Sequence, residues 1–128
     1  MSFNPDTFLK KVDVCPTSVS IGLESGKTER NKSVAIGYNC AREGQGDKSV
    51  AIGSMSGMLN QGKNSISIGN NSAVKNQHEH TICINSSTEV LNTTNEYGTF
   101  IKPIKREKTP YQLFYNPETC QITFFEME

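Results

Sequence analysis

The sequence has no tryptophan, only two histidines and no excess of either charge. Each of these lacks narrows the function. The 13 basic and 13 acidic residues cancel, which argues against a broad electrostatic grip on nucleic acid. No apolar stretch approaches the roughly 20 residues that span a bilayer, so no membrane insertion is expected. The start, Met1-Ser2-Phe3-Asn4-Pro5-Asp6, lacks a basic segment followed by an apolar run, so no secretory signal is expected. Cys15, Cys40, Cys83 and Cys120 are widely spaced, with no C-x-x-C and no zinc spacing. Reduced thiols are the expectation, and the N-x-[ST] sites at Asn31, Asn70, Asn85 and Asn92 are then polar turn residues.

Catalytic sets are equally scarce. There is no G-x-S-x-G and no phosphate-binding loop, and Gly44-x-Gly46 is not followed by a helical pattern. His78 and His80 flank Glu79; in an extended segment both rings would point the same way, and three copies near an axis could hold an ion. Exposed turn residues are the simpler reading of that pair. The expectation is therefore no enzyme, with no catalytic residue, cofactor or metal site. What remains is a 128-residue chain with only 34% hydrophobic residues, thin for a monomeric globule.

What the chain does have is a repeat. Ser18-Val19-Ser20-Ile21-Gly22 returns as Ser33-Val34-Ala35-Ile36-Gly37, Ser49-Val50-Ala51-Ile52-Gly53 and Ser65-Ile66-Ser67-Ile68-Gly69. A decayed fifth copy is Thr81-Ile82-Cys83-Ile84-Asn85. The isoleucines at 21, 36, 52, 68 and 84 are 15, 16, 16 and 16 residues apart, and a second small residue (Gly26, Ala41, Gly57, Ala73) follows each of the first four by five. Within a copy, bulky β-branched residues alternate with small ones, the period of a strand. Glycine then permits a bend, and polar, turn-rich segments such as 42–48 join the copies. One period thus holds two short strands and two turns, a single coil of a parallel β-solenoid whose copies must stack to bury anything.

The alternation leaves two ladders to assign. Val19, Ile21, Val34, Ile36, Val50, Ile52, Ile66, Ile68, Ile82 and Ile84 are expected to form the core of the roll. Ser20, Ala35, Ala51, Ser67 and Cys83 are then a flat, small-residue face, read as a subunit contact or, alternatively, as a solvated face. On the first reading a large side chain at Ala51 would break assembly and spare the roll.

The motif S-V-A-I-G-x-x-x-A/G at this period resembles the head repeats of YadA-like trimeric autotransporter adhesins, over 18–37, 49–57 and 65–73. The resemblance implies an all-β, left-handed parallel β-roll joined into a homotrimer. The chain departs from that family in showing no heptad stalk and no outer-membrane barrel. The order of the repeat, then Gly98-Thr99-Phe100-Ile101-Lys102-Pro103-Ile104, then Leu113-Phe114-Tyr115-Asn116-Pro117-Glu118-Thr119, resembles free-standing proteins of large eukaryotic DNA viruses. That likeness implies a virion protein made in the host cytoplasm: a trimeric spike, fibre or cap contacting other capsid proteins. The alternative it leaves open is an adhesin that binds a host surface glycan or receptor with the same trimer. Ice binding does not suit repeated positions that hold Ser, Ala and Val rather than Thr.

Three segments are expected. Residues 1–17 are an N-terminal cap or arm, with a short helix starting at Asn4 and Pro5 and closed by Pro16. Residues 18–89 are the roll. Residues 90–128 hold most of the aromatic residues and read as a β-hairpin cap, with strands at Thr99-Phe100-Ile101, 111–115 and 121–125 and a turn at 116–119. Lys102, Lys105, Arg106 and Lys108 form a basic connection, solvated or facing an acidic neighbour.

Overall fold

The computed structural model describes residues 12–28 and 31–128, and these contain strands and turns but no helix. Six strands stack in parallel: β2 (Ser18–Ile21), β3 (Val34–Ile36), β5 (Val50–Ile52), β7 (Ile66–Ile68), β8 (Ile82–Asn85) and β9 (Thr99–Lys102). Between them, β4 (Glu43–Gln45) and β6 (Leu59–Gln61) pair in parallel on the opposite wall, extended by a bridge from Leu59 to Lys75. The chain is a parallel β-solenoid of about five turns. Its register is strict: Ile21, Ile36, Ile52, Ile68, Ile84 and Ile101 stand in one column. A repeat of 15 or 16 residues returns each residue type to the same place on successive coils from Ile21 to Ile84, which is why the column forms.

Both ends differ from the sequence expectation. The start of the expected helix, at Asn4 and Pro5, lies outside the described residues, but its last part is a strand. β1 (Val12–Cys15) runs antiparallel to β2, pairing Val12 with Ile21. Two β-branched valines favour that state, and the unpaired edge of β2 supplies hydrogen-bonding partners that a helix would leave open. At the other end the ladder does not stop at the fifth copy. β9 adds a sixth rung, pairing Cys83 with Phe100 and Ile84 with Ile101.

The two faces of the ladder are assigned oppositely to the expectation. Ser20, Ala35, Ala51, Ser67 and Cys83 point into the roll and are 0–2% exposed. They are the interior, not a subunit contact. Ile21, Ile52, Ile66, Ile68, Ile82 and Ile84 face outward at 36–38% exposed, and Val19, Val34, Ile36 and Val50 are half-buried on the same side. They are not the core of the roll. The physical reason is girth. A side-chain carbon placed on Gly57 of one wall would lie 3.3 Å from the Ala51 methyl of the other. Two walls that close together admit Ala, Ser and Cys, and leave no volume for Val or Ile.

The bend after each strand makes the same demand on the backbone. Gly53 sits at φ 122°, and a Cβ there would come within 2.8 Å of the Gly69 carbonyl of the next coil. Gly53→Ala should therefore cost about 1–3 kcal/mol from the strained φ alone, before the clash. A fall in the urea midpoint of that size checks it; an unchanged midpoint would show that the coils can separate locally.

Candidate assembly face

The outward Val/Ile face is held out by the interior behind it. Three columns to which the sequence reading gave no role, buried except at Ser25, lock the walls together. From the opposite wall, Ser25 Oγ donates to Ala35 O (3.1 Å), Cys40 Sγ to Ala51 O (3.0 Å), Ser56 Oγ to Ser67 O (2.8 Å) and Ser72 Oγ to Cys83 O (2.9 Å). Gln45, Gln61 and Gln77 are also buried, and their amide nitrogens donate to Val34 O, Val50 O and Ile66 O at 2.8–2.9 Å. Ser33, Ser49, Ser65 and Thr81 form the third buried column. The hydroxyls of Ser49, Ser65 and Thr81 each donate three residues back, to Gly46 O, Gly62 O and His78 O. These glutamines and hydroxyls recur at the period of the isoleucines, and that recurrence was the signal available for them.

The interior is thus polar, with its hydroxyls bonded within the chain, although Gln45 Oε1 and Gln77 Oε1 are buried without a partner. Leaving a buried donor without its acceptor costs about 1–3 kcal/mol, so flipping a strand to bury its Val and Ile would break this set without filling it. The same closeness of packing disposes of the cysteines. Cys40, Cys83 and Cys120 are free, and the first two fill interior positions where other coils carry Ser or Ala. Burial pushes the Cys40 thiol up to about 12, against hydrogen bonds from the backbone that pull it down. Burial raises Cys83 as well. Burial thus disfavours the thiolate at both, as expected of cysteines that fill space. Because the unfolded thiol ionises near 9.0, Cys40 leaves stability untouched below that pH and erodes it as pH climbs towards 12.

The remaining candidates have partners of their own. His78 Nδ1 pairs with Thr93 Oγ1 at 2.8 Å, whereas the His80 ring stacks on Tyr97 with centroids 4.9 Å apart. The two imidazoles thus have different partners. In the basic connection, Lys102 pairs with Glu89, holding that carboxyl below its usual value, and Lys105 lies 3.0 Å from Glu107. Asn85, 1% exposed, ends the glycine column by donating to Asn70 O, Asn71 O and Glu89 O. No protein-family model, no curated protein and no solved structure matches the chain.

The face itself carries no charge. Its two columns, from Val19 and Ile21 to Ile82 and Ile84, rise at the interstrand spacing of about 4.8 Å and are wholly aliphatic. Removing the remaining exposure of each isoleucine from water is worth roughly 0.5–1 kcal/mol, since full burial is worth about 1.5–3. A contiguous aliphatic strip of this kind is a candidate interaction surface.

Proposed function

We propose that the chain is a non-enzymatic structural protein that assembles as a homotrimer through its Val/Ile face and serves as a spike, fibre or cap on the capsid of a large DNA virus. The exposed aliphatic ladder carries the assembly part of this reading. The buried hydroxyl and thiol columns are bonded within one chain, so on this reading assembly serves to cover the outside. Three copies around an axis would each turn the ladder inward. The likeness of S-V-A-I-G-x-x-x-A/G to YadA-like head repeats supports three rather than two, and a left-handed roll.

The viral setting rests on the likeness of the repeat followed by the G-T-F-x-K-P-I and L-F-Y-N-P-E-T segments to free-standing proteins of large eukaryotic DNA viruses. A regular, chemically unreactive rod suits a particle surface, where geometry repeats and no turnover is needed. Quantitative mass spectrometry of purified particles of the virus encoding the chain should find it at a fixed ratio to the major capsid protein. Its absence from washed particles would overturn the virion role and leave the assembly reading standing.

A further inference from the structure

The C-terminal ribbon is the least covered part of the described chain. β10 (Tyr111–Asn116) and β11 (Gln121–Glu126) pair antiparallel, and every residue of both strands is exposed. Their register puts Tyr111, Leu113, Tyr115, Ile122 and Phe124 on one side, with Phe114 and Phe125 stacked at 4.4 Å on the other. A lone two-stranded hairpin is marginal at best in water. The ribbon also stands away from its own roll. An open cleft of about 760 Å³ separates Leu113, Tyr115 and Ile122 of the ribbon from Ile82, Ile84 and Thr99 of the last rungs.

We infer that a second copy of this chain fills that cleft, so that the ribbon clamps neighbouring subunits together. The inference rests on the reading that the Val/Ile face joins copies, and it adds what that face lacks. A stable interface uses about 20–30 residues on each side. The ladder supplies the ten residues from Val19 to Ile84, too few alone. The ribbon and its end add eight more exposed apolar side chains, Met127 included, which brings the ten to 18, close to the lower end of that range. The cleft is continuous with the ladder, because Ile82 and Ile84 belong to both. Among the described residues no charged side chain lines it, which suits an uncharged, like surface and not a phosphate, a nucleic acid or an acidic peptide. A small apolar ligand would occupy the cleft, against Phe114 as well, yet leave Phe124 and Phe125 in water.

Two experiments on the full chain decide this. Sedimentation of Leu113→Asp/Ile122→Asp should show association weakened by at least 100-fold, with the far-ultraviolet spectrum of the roll retained. An association unchanged by the double variant would overturn the clamp while leaving the ladder reading intact. A wild-type chain that is monomeric throughout would overturn both. The second experiment uses Cys120, which lines the cleft and is exposed. A tagged Ile84→Cys/Cys120→Ser chain is co-expressed with an untagged chain that keeps Cys120. A short bismaleimide should join tagged to untagged chains. Failure of that link in a preparation shown to be oligomeric would overturn the clamp, as would native mass spectrometry finding a small molecule retained in the cleft.

Discussion

Ala51→Trp is expected to prevent the roll from folding, and Ala51→Ser to leave it folded with a stability within about 1 kcal/mol of the parent. Ala51 is fully buried and faces Gly57 so closely that even one added carbon on that wall would lie 3.3 Å away. Overpacking a well-filled core typically costs about 1–3 kcal/mol for a few added methylenes. An indole adds far more, in a fold with few ways to relax, because each coil is fixed by the ones above and below. Serine is different. In other coils, Ser20 Oγ donates to Ser25 O and Ser67 Oγ to Ser72 O, each at 2.7 Å and five residues on. By the same spacing a serine at 51 would reach Ser56 O, so the new hydroxyl is satisfied and not stranded. Far-ultraviolet circular dichroism and urea unfolding of the two variants check this pair. A folded Ala51→Trp trimer would mean that the small ladder is not the interior.

Ile52→Asp has the opposite expected outcome, a roll that folds and an assembly that does not form. In the single chain Ile52 is 36% exposed, so a carboxylate there keeps its water and costs about the 1 kcal/mol that separates good from poor strand residues. Between copies it would stand in an aliphatic strip, flanked in its column by Ile36 and Ile68, with no cation within the strip. An unpaired buried charge costs several kcal/mol. The association constant should fall by about 1,000-fold or more, equivalent to about 4 kcal/mol. Sedimentation velocity together with circular dichroism separates the two effects. An Ile52→Asp chain that is unfolded would place Ile52 in a core after all.

The pair of variants also marks how far the sequence could be read. The rungs, their register and the turn glycines were legible, because a period of 15 or 16 residues leaves little freedom in how Ile21, Ile36, Ile52, Ile68 and Ile84 can stack. Which ladder faces inward was not. Alternation of bulky and small residues is symmetric in sequence, and the general preference for burying Val and Ile points the wrong way here. The deciding quantity is the width of the closed coil, set by contacts such as Gly57 against Ala51 that link residues on opposite walls. The sixth rung was hidden for a simpler reason. Its step from Ile84 to Ile101 is longer than the period, and Phe100 stands where the other coils carry Ala, Ser or Cys. At the last rung no further coil limits its size.

The low apolar content acquires a cause from the same geometry. A roll this narrow buries Ala, Ser, Cys and Gln, closed by hydrogen bonds between walls, and spends its Val and Ile on the outside. Such a chain leaves its large apolar side chains outside, and the ribbon of β10 and β11 repeats that condition at the C-terminal end.

The outward Val/Ile ladder is held to be covered by other copies of the chain, and the mass of the full-length protein in solution tests that most directly. Light scattering coupled to size exclusion, at micromolar concentration and moderate salt, should give three times the 14.1 kDa of one chain. A single species of 14.1 kDa across the whole concentration range would contradict it.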